Sequence, residues 1–477
     1  MKINPDNLNT PMPKKGTDIE LLIESLAFGG MGLSNINGKI VFVKNAIPGQ
    51  IVLARITKKR SAFFEARKLQ IIKETKDCIQ PICDHFNDCG GCSFQNLIYE
   101  KQLFYKEQQV NDLYKKMGKF QGVCSEKIVP CQNQFNYRNK MEFSFSNKRW
   151  ILADNDSGED ENFALGLHVA GRYDKILNIN QCHLQLDDVN EILNLIKKEC
   201  LKNKLEPYDI KQHSGFLRHL MIRYGIKTNE IMINFVTSYD KKNLLKPISK
   251  KLINTFPKIT SIVNNINTRK ADIAFGEWEN NLEGNDYIID KIGDYEFEIS
   301  ANSFFQTNTL QAEVLYEIIK EECNLNGTEI VYDLYSGIGS ISIFISKYAK
   351  SIYAIELIEN AVKDAKKNAR RNNINNINFF CGDLKDILRQ DKNLTSIPKP
   401  DIIILDPPRA GMHKKTIQDV IKSKPKRIVY CSCNPSTQVR DIIDFCNNGY
   451  ILKKIRPVDM FPNTPHIECV STLEYDN

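Results

Sequence analysis

No apolar run in this 477-residue chain approaches the roughly 20 residues needed to cross a bilayer. The segment Met1–Pro13 is polar and lacks the apolar core of a secretory signal, so a cytoplasmic protein with no membrane partner is expected. No segment repeats at a fixed period. Net charge is also absent from most of the chain. Residues 1–73 hold 12 Lys/Arg against 5 Asp/Glu, which is the whole of the +7 excess, and residues 74–477 are neutral. A basic module on a neutral body is the footprint of a part that touches polyanions, most often nucleic acid. Charge alone leaves a solvated basic face equally open. Apolar and charged fractions of 42% and 26% are those of ordinary globular protein, and the length allows two to four domains.

Cysteine, by contrast, is plentiful. Fourteen in a long chain with its own apolar core are not a disulfide scaffold, so ligation or catalysis is the better account of some of them.

From Thr17 to Ile72, short β-type runs (Ile19–Glu24, Lys39–Lys44, Ile51–Thr57) alternate with glycine turns at Gly29-Gly30 and Gly49. This predicts a small barrel of the oligonucleotide-binding kind over 1–73. Lys58-Lys59-Arg60 beside Phe63-Phe64 offers phosphate contacts and a stacking surface. A central part, 74–297, mixes strands and helices, with an acidic loop at Asp154–Glu161 and a helix at Asn96–Met117. Tyr137-Arg138-Asn139-Lys140 reads either as an RNA-facing element or as a strand start with its charges in solvent.

From Glu329 the pattern becomes regular. Strands at Ile330–Leu334, Ser351–Ile355, Ile377–Phe380, Asp401–Leu405 and Arg427–Tyr430 alternate with helices, which predicts a mostly parallel, doubly wound α/β sheet in a domain spanning 298–477. The first strand runs into Gly337-Ile338-Gly339, and the second ends at Glu356, 17 residues after Gly339. Glycines admit close backbone approach, and an acid at that spacing suits two ribose hydroxyls. The third glycine of the dinucleotide fingerprint is missing, so a single nucleoside with an amino-acid tail, S-adenosylmethionine, fits better than a dinucleotide. Asp383 and Asp406 end the third and fourth strands. Arg409 in Asp406-Pro407-Pro408-Arg409 stands where methyltransferases of exocyclic amines carry an aromatic, which points to a different target atom. The fifth strand stops at Cys431-Ser432-Cys433-Asn434-Pro435, and a thiol there becomes a nucleophile if its pKa is held down. His466-Ile467-Glu468 offers a base. Spacing alone leaves Cys433 a candidate, with Cys431 as its neighbour on the same face.

Four segments carry a family resemblance: Ser432-Cys433-Asn434-Pro435, His466-Ile467-Glu468-Cys469-Val470, Asp406-Pro407-Pro408-Arg409 and Phe304-Phe305-Gln306-Thr307-Asn308. Together they resemble the signature segments of the RNA uracil-5-methyltransferases. The N-terminal module resembles a TRAM domain, and the cysteines an iron–sulfur site, as in the ribosomal-RNA branch of that family. The resemblance implies that Cys433 is the nucleophile and Glu468 the base. It further implies that Gln306, Tyr335, Ser340, Glu356, Asp383 and Asp406 line the S-adenosylmethionine site. Ser336 is a departure, since family members often have cysteine there; backbone does the binding at that position, so the change is expected to be tolerated. Cys83, Cys89 and Cys92, spaced C-x5-C-x2-C, need a distant fourth ligand, and the resemblance places it at Cys182. Four thiolates hold [4Fe–4S] or zinc, and spacing does not separate the two; the resemblance favours iron–sulfur. Cys78 is a spare. The expected partner is RNA, most of all 23S ribosomal RNA, and the expected state a monomer. A transfer-RNA enzyme of the same chemistry and a non-catalytic RNA-binding assembly factor are the competing readings.

Overall fold

The structure, a computed structural model, describes residues 12–151, 161–271, 273–388 and 397–476. All but Glu161 of the acidic run Asp154–Glu161, and most of Met1–Pro13, lie outside the described residues.

The first of three large sheets has six strands in the order Asp18–Leu22, Ile51–Lys59, Phe63–Lys73, Lys39–Lys44, Gly32–Ile36, Ser25–Leu26. It is barrel-like, because alternate residues turn inward to one small core. Val52, Ala54 and Ile56 do so from one strand, Val41 and Val43 from another, and Phe64 from a third. That alternation corrects the stacking surface expected at Phe63-Phe64. Phe64 is a core residue, while Phe63 lies on the outer face with its ring edge against Phe42 at 5.3 Å.

The second sheet has seven strands in the order Trp278–Gly284, Ile259–Ile266, Ile231–Thr237, Leu217–Tyr224, Lys140–Ser146, Ala164–His168, Ile176–Asn178. The helices Asp187–Lys202 and Lys242–Thr255 close one face, with Ile192, Leu193, Ile196, Leu245 and Ile248 packed on Phe143, Leu220, Ile233 and Phe235. Leu217–Tyr224 is buried along its whole length, so this strand is covered on both faces. A hairpin, Tyr287–Ile292 with Tyr295–Ser300, leads into the third sheet.

That sheet runs Ile377–Cys381, Ser351–Glu356, Ile330–Leu334, Ile402–Leu405, Arg427–Ser432, Glu468–Tyr475, Tyr450–Val458. The first five strands are parallel, as expected. The last two are additional: Glu468–Tyr475 runs antiparallel between Arg427–Ser432 and Tyr450–Val458. The winding direction reverses between Ile330–Leu334 and Ile402–Leu405, so a ligand crevice opens beyond the carboxyl ends of those two strands.

The helix expected at Asn96–Met117 starts at Tyr99 and, after Asp112, continues as one π turn, Leu113–Met117. It packs on the third sheet, where Tyr114 bonds Gln438 at 2.9 Å and Ser471 at 2.7 Å. No helix among the described residues is long and apolar enough to cross a membrane.

Candidate active site

Tyr335 leaves the first parallel strand with φ +69, and Gly337 and Gly339 follow at φ +55 and +76. Three left-handed residues in five fold the chain into a tight loop at the end of that strand. Gly337 N donates to Glu356 Oε2 at 3.0 Å, and Ile358 N donates to Oε1 at 2.9 Å. Two backbone amides therefore aim the Glu356 carboxylate and leave each oxygen free to accept again. Ser340 opens the next helix and shares a 2.8 Å bond with the Tyr316 hydroxyl. Burial lifts the Tyr335 hydroxyl to about 12, with the charges of Asp441 and Asp383 adding to it; Asp383 thus faces the same space from the third strand. Gln306 is held through its backbone, whose oxygen accepts from Asn139 Nδ2 at 2.8 Å.

Asp333, absent from the expected set, sits beneath this loop. It is fully buried, bonded by Ser342 at 2.5 Å through Oδ2, and its Oδ1 has no partner. Burial pushes its pKa up to about 7, with Glu356 adding repulsion. Asp406 is lifted to about 7 by burial and by Asp333. An acid on the first strand at the mouth of a glycine loop was the available signal; its spacing resembled an ordinary strand residue. Acids with an unmet acceptor around a left-handed glycine loop form a cradle for a cation, and S-adenosylmethionine carries both a sulfonium and an ammonium.

The two thiols separate cleanly. Cys431 is inside the sheet, whereas Cys433 is partly open, one residue before the Asn434 N-cap of helix Pro435–Cys446. Ser432 pairs with Cys469 in the antiparallel ladder, and Cys433 and Glu468 are the residues that flank that last pair, close enough for the Glu468 charge to act on the thiol. Glu468 is buried, and burial with the nearby Asp406 charge pushes its pKa well up while Arg409 opposes. Cys433 is lifted to about 11 by burial first, then by Glu468 and Asp406. The positive charge of Arg409 opposes that lift. The same guanidinium donates to His466 Nδ1 at 3.1 Å, and burial keeps that imidazole neutral by depressing it to about 4. The backbone oxygen of Arg409 is itself fixed by Asn434 Nδ2 at 2.9 Å. A partly open thiol, a buried carboxyl and a guanidinium thus meet beside Asp406.

Cys83, Cys89, Cys92 and Cys182 come together elsewhere, lining one cavity of about 150 Å³ with His85, Met141 and Leu167. Cys78 is not among its lining residues. A single water needs roughly 10–15 Å³, so this space is an order of magnitude larger than one small ligand requires. Among the described residues no group of three His, Cys, Asp or Glu converges tightly enough for one metal ion. Burial lifts the thiols, Cys89 to about 11 and Cys92 to about 12. Tyr137-Arg138-Asn139-Lys140 leads into strand Lys140–Ser146, which matches the strand-start reading. Tyr137 and Asn139 are buried and bond Pro462 and Gln306, while Arg138 reaches the rim of the cysteine cavity.

A doubly wound sheet with a left-handed glycine loop, an acid after the second strand and a partly open thiol at the end of the fifth has the organisation of an S-adenosylmethionine-dependent methyltransferase. The sequence model described as tRNA (uracil-5-)-methyltransferase matches residues 228–475, and that of the TRAM domain matches residues 14–69. The chain therefore belongs to the RNA uracil-5-methyltransferase family. An uncharacterized RNA methyltransferase of Chlorobaculum tepidum is 39% identical over 475 residues, covering 97% of both chains. One of Porphyromonas gingivalis is 39% identical over 461 residues, covering 94% of this chain and 98% of the other. The crystal structure of the Pyrococcus abyssi tRNA (uracil-54, C5)-methyltransferase with S-adenosyl-L-homocysteine is similar with a TM-score of 0.75. It is 28% identical, and the match covers 95% of this chain and 100% of that one. The protein is thus an RNA-binding, S-adenosylmethionine-dependent methyltransferase with an N-terminal TRAM domain.

Proposed function

We propose that this enzyme methylates C5 of a uridine through covalent catalysis by Cys433 with Glu468 as the base. The carrying observation is that Cys433, one residue beyond the last ladder pair Ser432–Cys469, stands within electrostatic reach of Glu468, Asp406 and Arg409 at the open end of two strands. Uracil C5 is a poor nucleophile. Cys433 adds to C6, and the electron pair of the C5=C6 bond makes C5 an enolate carbon. When bound, S-adenosylmethionine supplies the electrophilic methyl group. Arg409 holds the attacking sulfur as thiolate. Glu468 then takes the C5 proton, the C–H pair re-forms the C5=C6 bond, and the C6–S bond breaks with its pair leaving on Cys433. The cofactor cradle is assigned to Gln306, Tyr335, Ser340, Glu356, Asp383 and Asp406, to which we add Asp333. A uridine inside a duplex cannot present C6 to a thiol, so the substrate is a loop or a flipped nucleotide.

Cys83, Cys89, Cys92 and Cys182 are proposed to hold a [4Fe–4S] cluster. The four thiols line one cavity, and the resemblance of the set favours iron–sulfur over zinc. The cluster supplies cross-linking of the segment that carries these residues, and no step of the reaction passes through it.

Large-subunit ribosomal RNA is the substrate we infer from the TRAM module and the cysteine set. The Pyrococcus enzyme favours a second reading. That protein acts on transfer RNA, yet its match covers 95% of this chain, so most of the barrel lies within it. An N-terminal barrel therefore does not by itself separate the two substrates. We further propose a cytoplasmic monomer divided near 1–73, 74–297 and 298–477, with the last joint inside the strand Tyr295–Ser300.

The deciding experiment offers 5-fluorouridine-substituted ribosomal and transfer RNA to the wild type and to Cys433→Ala. A trapped protein–RNA adduct with one RNA, lost in the variant, is expected. An adduct that survives Cys433→Ala overturns the assignment, as does equal reaction with cytosine in RNA.

A further inference from the structure

The loop that delivers Glu468, residues 459–467, takes most of its support from outside the catalytic sheet. Asp459 forms a 2.6 Å ion pair with Lys106 and accepts from the Tyr99 hydroxyl at 2.8 Å. Lys106 also reaches the Phe461 oxygen at 3.2 Å, and the Tyr137 hydroxyl donates to the Pro462 oxygen at 3.0 Å. A Cβ on Gly30, in a turn of the TRAM barrel, would sit 3.0 Å from Pro465, so the barrel also abuts this loop.

The centre of the arrangement is Asn463. It is buried, in the left-handed conformation at φ +66, and every polar atom it owns is used. Its backbone N donates to Gln102 Oε1 at 2.8 Å, and its Oδ1 accepts from Gln102 Nε2 at 3.1 Å. Its Nδ2 donates to the Gln134 oxygen at 2.9 Å. Its backbone oxygen accepts from the amides of Ser93, at 2.8 Å, and Phe94, at 3.1 Å. Ser93 directly follows Cys92 of the four-thiol cavity. Two residues beyond Asn463 the chain meets Pro465, and three further on comes Glu468.

Resting on the functional reading above, we propose that Asn463 is the positioning residue that ties the cysteine segment to the catalytic base. It clamps the 459–467 loop to residues 93–94, 102 and 134, and so fixes where the Glu468 carboxyl stands relative to C5. The step that depends on it is proton removal and release of Cys433, the last of the cycle. Addition of the thiol to C6 precedes that step and does not need the loop in register.

The test uses the full chain with Asn463→Ala and Asn463→Gly, and as probes ribosomal and transfer RNA from cells lacking this gene. Glycine accepts the left-handed backbone, so the three main-chain bonds persist and only the two side-chain bonds are lost. Turnover with radiolabelled methyl donor is expected to fall ~10- to 100-fold in Asn463→Ala, the scale of an ångström-sized misplacement, and by a smaller factor in Asn463→Gly. The fraction of protein bound covalently to RNA on a denaturing gel is expected to rise in both. Wild-type turnover in either folded variant overturns the proposal. So does a parallel loss of adduct and turnover, because a general folding defect slows every step alike. If the wild type forms neither adduct nor methylated product with either RNA, the functional reading fails and this inference falls with it. If Asn463→Ala does not fold, Asn463→Gly decides.

Discussion

Lys106 and Asp459 form an ion pair at 2.6 Å with neither side chain exposed to solvent. One lies on the helix that follows the cysteine segment, the other at the end of strand Tyr450–Val458, so the pair bolts a helix from the central part onto the catalytic sheet. Burial lowers the Lys106 pKa, and the Asp459 carboxylate is what keeps its charge tolerable. Removing one partner strands the other charge in the interior, which costs about 3–5 kcal/mol. Lys106→Met is expected to lower the denaturation free energy by that amount. The double change Lys106→Met with Asp459→Leu is expected to recover part of it, measured by urea unfolding. Equal stability of the single variant and the wild type would remove the pair from the list of structural anchors.

Glu468→Gln is expected to separate the first half of the reaction from the second. The amide keeps the size of the side chain and cannot take a proton, while Cys433 and Arg409 are untouched. Methyl transfer then proceeds once, and the adduct stays on the protein. Multiple turnover should fall ~100- to 10,000-fold, the usual range for loss of a general base. The check is the stoichiometry of radiolabelled methyl in a gel-stable protein–RNA complex. Full turnover by this variant would assign proton removal to another group.

Much of the catalytic sheet was legible because its parallel strands read as short apolar runs, four of them running into an acid or a glycine and the fifth into Cys431. Tyr450–Val458 and Glu468–Tyr475 escaped because they break that pattern. Lys453, Lys454 and Arg456 interrupt the first, and an antiparallel return has no crossover helix to announce it. The site was legible in part. Glu356 and Cys433 stand at strand ends, where chemistry is placed. Asp333 was not visible as a site residue because its role lies in a missing partner, and a missing hydrogen bond leaves no trace in spacing. Phe64 was misread because phase matters in a strand, and the alternation that buries Val52 and Ala54 had to be followed one strand further.

Cofactor affinity should depend on pH through Asp333 and Asp406, both pushed up to about 7. In the unfolded chain an aspartate titrates near ~3.9. Between about pH 4 and pH 7 the folded chain therefore keeps protons that the unfolded chain has released. Stability from these two groups falls as pH rises through that window. A bound sulfonium or ammonium reverses the preference by favouring the ionised carboxyls. The affinity of S-adenosylmethionine should then rise with pH up to about 7, by at most ~10-fold per unit for each proton released. Calorimetry in two buffers of different ionisation enthalpy reads the proton count directly. Binding that is flat from pH 5.5 to 8 with no proton release would place the cation elsewhere.

Arg409 is expected to set the reactivity of Cys433. The positive charge of its guanidinium opposes the lift that burial, Glu468 and Asp406 impose. In Arg409→Met the thiol has lost the positive charge that opposes these neighbours, so its pKa moves further up and the thiolate fraction at neutral pH falls. In Arg409→Lys the charge remains, but the planar fork that donates to His466 Nδ1 is gone, so an intermediate effect is expected. The rate of Cys433 alkylation by iodoacetamide against pH, followed by mass spectrometry of the peptide, separates these cases. The profile should shift to higher pH in the order wild type, lysine variant, methionine variant. Adduct formation with 5-fluorouridine RNA should slow in the same order, because addition of the thiolate to C6 is the step that the guanidinium serves. An unchanged alkylation profile in Arg409→Met would mean that Asn434 and the amide end of helix Pro435–Cys446 hold the thiolate without it.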